Sequence, residues 1–190
     1  MKKMLLVSAL ATSMALPLTT ANAADYVIDT KDAHASINFK VSHLGYSFTM
    51  GRFNKFDGEF SYDPANLGAS KVSVTVDTNS IDSNHAARDK HIRGADLMNV
   101  KKFPKATFTS TKVVDKGEGK LDILGELTLH GQTKPLTINA EFIGGGADPW
   151  GSERAGFQGV AHIDFKEFGI TEMAGATYAD LQIFVEGIKK

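Results

Sequence analysis

The chain carries six histidines, the side chains that proteins use most often as metal ligands and as proton carriers near neutral pH. A helical metal site places two histidines in an H-x-x-x-H or H-E-x-x-H spacing, and neither occurs. His85 and His91 lie six residues apart, so one helix face would not present both. We therefore expect no bound metal, and we expect His34 and His43 to make structural hydrogen bonds or to lie at a pocket rim.

Motifs for covalent catalysis are also missing. The chain has no cysteine and no G-x-S-x-G sequence, so neither a thiolate nor a serine nucleophile on a strained turn is indicated. Gly144-Gly145-Gly146 lacks the Lys-Ser/Thr and helix that follow in a phosphate-binding loop. We expect no catalytic residue and no cofactor.

The best polar cluster is Arg88-Asp89-Lys90-His91 with Arg93. Its ordinary interpretation is a solvated, self-paired helix face, which contributes little to stability. Arginine also presents a rigid fork of N–H donors that suits an anionic group. A binding role for this cluster requires a pocket beside the cluster. Whether such a pocket exists depends on the strands and helices that surround the cluster.

The N-terminus has the features of a secretory signal peptide. Two lysines precede an apolar stretch from Met4 to Leu18, and Ala21-Asn22-Ala23 supplies the small-x-small cleavage pattern. The stretch contains serine, threonine and proline and is shorter than the ~20 apolar residues that span a bilayer, so we expect no stable membrane insertion. We predict a signal peptide over 1–23, a single working domain over 24–190, and export from the cytoplasm.

Export would leave 167 residues, enough for one domain with a substantial core. That domain holds 19 basic and 22 acidic residues, an acidic excess that argues against a nucleic-acid partner. It also argues against electrostatic docking on an anionic membrane. Because cysteine is absent, packing without disulfides must hold the fold.

From residue 25 onward, apolar and polar side chains alternate in short blocks separated by Gly, Pro, Asn and Asp, a pattern typical of β-strands. Eight such blocks favour an all-β fold, an eight-stranded antiparallel barrel that closes on itself. Such a barrel is either filled by side chains or holds one small ligand, as lipocalins do, and the pattern also permits a β-sandwich. The predicted strands are 36–41, 55–62, 71–77, 106–110, 121–129, 136–142, 157–165 and 181–185.

One segment breaks the alternation between the third and fourth predicted strands. Its composition predicts a helical insert near 84–93, capped by Asp82 or Ser83 and interrupted by Gly94. Ile81, Ile92, Leu97 and Met98 would give the insert an apolar side that closes one mouth of the barrel.

Short motifs follow one another along the whole mature chain. They are Tyr26-x-Ile28-Asp29 before His34, Phe39, His43-Leu44-Gly45-Tyr46-Ser47, Gly51-x-Phe53-x-x-Phe56-x-Gly58, Ser80-Ile81-Asp82, His85-x-x-Arg88-Asp89-Lys90-His91, Phe103-Pro104-x-Ala106-Thr107-Phe108, Gly125-Glu126-Leu127-Thr128-Leu129-His130-Gly131, Asp148-Pro149-Trp150-Gly151, Arg154-Ala155-Gly156-Phe157 and Phe168-Gly169-Ile170. Single motifs are weak patterns, but their order and spacing together are specific, and in these the chain resembles the YceI-like family of periplasmic, lipocalin-like proteins.

This resemblance implies a periplasmic protein whose barrel encloses an apolar tunnel for a polyisoprenoid lipid or an isoprenoid quinone. The family has no established reaction, so it implies a binding protein rather than an enzyme. Gly58, Gly125 and Gly159 lie among inward positions, where a missing side chain would leave room for a ligand. The residues expected to line the tunnel are Ile37, Phe39, Phe53, Phe56, Phe60, Phe108, Phe157 and Phe165.

A ligand of this kind has a polar head, and the charged cluster offers contacts for it. We hypothesise that Arg88 or Arg93, with His43, meets that head at the tunnel mouth. One alternative is an enzyme acting on an isoprenoid or hydrophobic ester, with His43 or His130 and Asp89 sharing proton transfer. Another is a stress or interaction protein whose barrel is filled and whose loops bind a protein partner.

Overall fold

A computed structural model describes residues 23–190 of the protein; most of the predicted signal peptide lies outside these residues. The described chain is almost entirely β-structure, with one α-helix and three short 3-10 helices. None of its helices is long and apolar enough to cross a bilayer. The elements are β1 (Ala24–Ile28), β2 (Ser36–His43), β3 (Ser47–Phe53), β4 (Phe56–Tyr62), β5 (Lys71–Asp77), β6 (Ile81–Asp82), α1 (Ala86–Ile92), β7 (Lys105–Gly117), β8 (Lys120–Leu129), β9 (Gln132–Ala147), β10 (Glu153–Asp164) and β11 (Tyr178–Lys189).

The eleven strands occupy eight positions in one closed antiparallel barrel. β11 closes the ring, because one edge pairs with β10 and the other with β1 and β2 in turn. β1 and β2 therefore lie end to end as one broken strand. β3 and β4, which pair with β2 and β1, are arranged in the same way, and so are β6 and β5, which pair with β3 and β4. The predicted eight-stranded barrel is confirmed, since each predicted strand matches one of these eight positions.

Three strands, β1, β3 and the two-residue β6, were not predicted. The alternation in β3 is inverted, because Phe48 and Met50 point outward while Thr49 and Gly51 face the interior. Such a pattern does not resemble a strand with a buried apolar face. β3 forms nevertheless, because it is the antiparallel partner of β2 from His43 back to Ile37.

The helical insert lies between β5 and β7, as predicted, but its N-cap is His85 rather than Asp82 or Ser83. The His85 imidazole Nδ1 accepts a hydrogen bond from the Arg88 amide at 3.1 Å. Ser83 has another role, because its amide and hydroxyl both donate to the buried Asp89 carboxylate, at 2.8 and 2.5 Å. These bonds fold the segment before α1 back onto the helix.

An ion-pair cluster holds the loop between β1 and β2 against the barrel. The cluster lies at the end of the barrel opposite the insert. The Arg154 guanidinium donates to Asp148 at 2.6 Å, to Glu186 at 2.6 Å and to Asp29 at 2.9 Å. His34 Nδ1 also lies 2.9 Å from the buried Asp29 carboxylate. The cluster joins strands β10 and β11 to the loop through charge-assisted hydrogen bonds.

The hydrogen bonds in this cluster shift two pKa values in opposite directions. Burial raises the pKa of Asp29, but hydrogen bonds from His34 and Arg154 outweigh it and leave the pKa below its ordinary value. The hydrogen bond to Asp29 raises the pKa of His34 above its ordinary value of 6.5. Folding therefore favours the protonated form of His34 more than the unfolded chain does.

We predict that the stabilising effect of His34 depends on pH. Because its pKa is raised on folding, its contribution is complete below about pH 6.5 and is lost as the pH rises through the folded-state value. The free energy of unfolding of the protein minus that of His34→Gln, measured by urea denaturation, should therefore be largest in mild acid and shrink above neutrality. A difference that stays constant from about pH 5 to 9 would contradict this assignment.

Candidate ligand cavity

The barrel interior contains two adjoining cavities with volumes of about 150 and 180 Å³. The aromatic-end cavity is lined by Phe60, Tyr62 and Phe157 among others, and the insert-end cavity by Ile92 and Met98. The two share a set of wall residues, which we name the waist. The waist consists of Ile37, Val76, Ala106, Leu127 and Leu181.

The walls of both cavities are almost wholly apolar. Among the described residues that line them, none carries a formal charge, and the polar ones are limited to Ser61, Tyr62, Ser70, Thr107, Gln158 and Thr171. An ion or a hydrated group would lose its water there without a compensating partner. An apolar chain loses nothing and gains burial, so the cavities suit a hydrocarbon.

All eight residues predicted to line the tunnel do lie on a cavity wall. Phe56, Phe60, Phe108 and Phe157 face the aromatic-end cavity. Phe39, Phe53 and Phe165 face the insert-end cavity, and Ile37 reaches both. Their part in holding a ligand stays a prediction.

The aromatic rings stay close to the barrel wall because glycines on neighbouring strands make room for them. A Cβ atom at Gly51 would lie 2.2 Å from the Phe39 ring, and one at Gly125 would lie 2.5 Å from the Phe108 ring. The expectation that Gly125 leaves open space is therefore wrong, since a neighbouring ring fills that space. Gly58 is likewise crowded, with the Ser73 carbonyl oxygen 2.6 Å from the position of a Cβ. A Cβ at Gly159 would lie 2.9 Å from Ile138 Cγ2, although Gly159 itself lines the aromatic-end cavity.

The aromatic-end cavity is closed by stacked rings. Tyr26 stacks on Phe60 with ring centroids 4.9 Å apart, and Tyr62 stacks on Phe142 at 5.3 Å. Phe157 packs its edge against Phe60 at 5.5 Å and against Tyr62 at 5.1 Å. This interlocked cluster forms a rigid floor.

The insert-end cavity is covered by the insert and by the segment before β11. Ile81, Ile92, Leu97 and Met98 all line this cavity, so the apolar side predicted for the insert faces the interior. Two further residues, Met173 and Ala176, come from the segment before β11. No strand or helix was predicted in that segment, and it carries no alternation that would have revealed its place on the wall.

None of the three residues proposed to meet a head group lines either cavity. His43 is exposed at the end of β2. Arg88 donates from Nε and Nη2 to Ser83 at 2.7 and 2.6 Å, and Arg93 donates to the Ile81 carbonyl at 3.0 Å. The structure thus assigns both arginines to fastening the insert, while a head-group role stays a prediction.

The side chains named for proton transfer are engaged separately. His130 Nδ1 lies 3.0 Å from the Phe168 carbonyl oxygen, whereas Asp89 accepts from Ser83. In the described part of the chain, Asp29, His34 and Glu186 form one group with ligand atoms within 4.8 Å of one another. The Arg154 guanidinium already binds both carboxylates of that group, so its charge would repel a metal ion.

Comparison with known proteins places these features among relatives. The sequence model of the YceI-like domain matches residues 26–186. A UPF0312 protein of Vibrio cholerae is 63% identical over 190 residues, with 100% of both chains covered.

Two solved structures have a similar fold. BcnA of Burkholderia cenocepacia superposes with a TM-score of 0.75 at 21% identity, over 84% of this chain and 98% of that one. A polyisoprenoid binding domain from Saccharophagus degradans gives a TM-score of 0.58 at 18% identity, over 89% and 100% of the two chains.

We predict that Gly187→Ala narrows the cavity by displacing an aromatic ring. A Cβ at Gly187 would lie 2.4 Å from the Phe60 ring, which must then leave the wall and enter the aromatic-end cavity. Overpacking of this kind costs about 1–3 kcal/mol, measurable by thermal denaturation. Replacing Phe60 by Leu in the same chain should restore most of the loss.

The matched control is Gly156→Ala on the neighbouring strand. Its Cβ would meet no atom closer than 3.7 Å, so the substitution should leave stability nearly unchanged. Equal losses for the two alanine substitutions would show that ring displacement is not the cause.

Proposed function

The chain belongs to the family of YceI-like domains, and from that premise we propose that it is a carrier that holds a polyisoprenoid lipid or an isoprenoid quinone inside its barrel. The observation that carries this proposal is the pair of adjoining cavities whose walls lack charged side chains. We further propose that it acts in the periplasm, after removal of residues 1–23, and that it works by binding without a catalytic step.

The energetics of burial favour a prenyl chain. Burying one methylene contributes about 0.8 kcal/mol, so one five-carbon isoprene unit contributes roughly 3 kcal/mol before costs. A few buried units offset the ~4–15 kcal/mol cost of association. An engineered cavity of about 150 Å³ takes up benzene, and each of the two cavities is of that size. Each therefore accommodates about one isoprene unit without expansion.

The similarity to known proteins supports the same ligand class. The Saccharophagus degradans domain that shares this fold is described as a polyisoprenoid binding domain. We extend that ligand class to this chain because its own cavities have the apolar walls that such a ligand requires. The alternative of a barrel filled by its own side chains is not favoured by these cavities.

The polar head of the ligand should remain outside the apolar walls. Arg88 uses its Nε and Nη2 donors on Ser83, whereas a guanidinium has five N–H donors in all. We keep Arg88, Arg93 and His43 as proposed contacts for a head that emerges near the insert. Arg88→Ala should weaken binding of a prenyl diphosphate more than of the matching alcohol, and equal losses would refute that role.

The decisive experiment is extraction of lipid from the purified native protein, followed by mass spectrometry. We expect an isoprenoid to co-purify, and the emptied protein should bind prenyl alcohols with an affinity that rises with chain length until the tunnel is full. Absence of any extracted lipid, together with no binding of farnesol on titration, would refute the carrier function.

We predict that Ala106→Phe blocks the waist. Ala106 borders both cavities, so a phenyl ring there would divide the tunnel and exclude about one isoprene unit. Farnesol affinity should fall on the order of tenfold or more, measured by titration calorimetry. The control is Thr109→Phe on the same strand, where the side chain is exposed outside the barrel and affinity should not change.

A further inference from the structure

The hairpin that joins β2 to β3 exposes four apolar side chains within seven residues. Tyr46 is 87% exposed, Leu44 is 54% exposed, and Phe48 and Met50 are about half exposed on the outer face of β3. We name these four residues the apolar tip. Soluble proteins rarely group exposed apolar side chains in this way unless the surface binds something.

The turn at this tip has an unfavourable residue for its geometry. Leu44 and Gly45 both have positive φ, at 52° and 72°, and the Tyr46 amide donates to the His43 carbonyl at 3.0 Å. A turn with positive φ at both central residues favours Asn-Gly, because asparagine tolerates the left-handed conformation far better than leucine does. Leucine is strained there and is only partly buried, so neither turn geometry nor core packing accounts for it.

The apolar tip lies at the insert end of the barrel, beside the cover of the insert-end cavity. The Leu44 amide donates to the Ala174 carbonyl at 2.8 Å, and Ala174 belongs to the segment whose Met173 and Ala176 cover the insert-end cavity. A surface that held the tip would therefore also contact the cover of the cavity.

Basic side chains border the outer face of the tip. The Lys40 ammonium lies 4.8 Å from the centre of the Phe48 ring and also pairs with Asp180 at 3.3 Å. Arg52 follows Met50 on the same face of β3. Aromatic and aliphatic side chains flanked by lysine or arginine match the interface of a bilayer, where apolar groups enter the acyl boundary and cations meet phosphates.

We propose that the apolar tip docks the insert end of the barrel on a lipid bilayer, so that the ligand passes between membrane and tunnel without crossing water. This inference rests on the proposed carrier function. Docking relies on apolar insertion rather than on net charge, which agrees with the acidic excess of the chain.

Vesicle flotation tests the docking surface. The full chain, purified by one route so that all samples share the same N-terminus by intact mass, is mixed with vesicles of phosphatidylcholine, with or without phosphatidylglycerol. We expect the protein to float with both, and Leu44→Asn/Tyr46→Ser/Phe48→Ser to lose about tenfold in bound fraction. Leu44→Asn alone should weaken docking while leaving thermal stability equal or higher.

The other end of the barrel supplies the matched control. Trp150 is 82% exposed and lies beyond the start of β10, about 30 Å along the strands from the apolar tip. Trp150→Ser should float as the parent protein does. Because Trp150 is the only tryptophan, its fluorescence should not shift when vesicles are added, whereas Tyr46→Trp in a Trp150→Phe chain should shift to the blue.

Four results would overturn the docking surface: no flotation of the parent protein, undiminished flotation of the triple variant, equal loss with Trp150→Ser, or a dimer that the tip substitutions dissociate. Farnesol titration without vesicles separates this inference from the carrier function. Farnesol binding with unchanged flotation of the triple variant rejects only the docking surface. Absence of farnesol binding in the parent protein rejects the carrier function and, with it, ligand transfer at the tip.

Discussion

The main constraint on this structure is that a closed barrel of hydrogen-bonded strands must remain stable around an apolar interior that its side chains do not fill. Empty volume in a core costs about 24 cal/mol per Å³, so each of the two cavities costs on the order of 4 kcal/mol. Native domains are stable by only about 5–15 kcal/mol in total. A barrel that leaves this volume unfilled gives up a large part of that margin, and a ligand of matching shape would recover it.

The closed sheet makes the hollow possible because its strands do not need the interior to hold them together. Each of the eight strand positions pairs with a neighbour on both sides, although β6 itself pairs only with β3, so backbone hydrogen bonds run around the ring. Because Gly51, Gly125 and Gly187 have no side chain, neighbouring aromatic rings can lie against the wall at these positions. A bulky side chain at any of these positions would push a ring into the space that the barrel leaves open.

The sequence predicted the barrel because inward positions alternate regularly in eight segments, and the aromatic wall residues other than Phe53, which lies on β3, follow from that alternation. It did not predict β3, whose outward Phe48 and Met50 reverse the usual pattern and whose place is set by pairing with β2. It also misassigned the cap of α1, because Asp82 and Ser83 are the residue types that usually cap helices, whereas in the structure Ser83 binds Asp89 and His85 caps the helix. The glycines were misjudged for a similar reason, since a sequence does not reveal which neighbouring ring fills the space beside a missing side chain.

The two ends of the tunnel differ in the forces that close them, and this difference points to one end for ligand exchange. At the aromatic end, five interlocking rings and the ion pairs around Arg154 must all separate before the wall opens. At the insert end, the cover includes two methionines, Met98 and Met173, whose flexible side chains rearrange easily. The insert is held by hydrogen bonds around Ser83 and by the buried Leu97, with no interlocked aromatic rings among its described residues of the kind that close the other end. Under the proposed carrier function, a ligand is therefore expected to enter and leave past the insert, while the aromatic end remains closed.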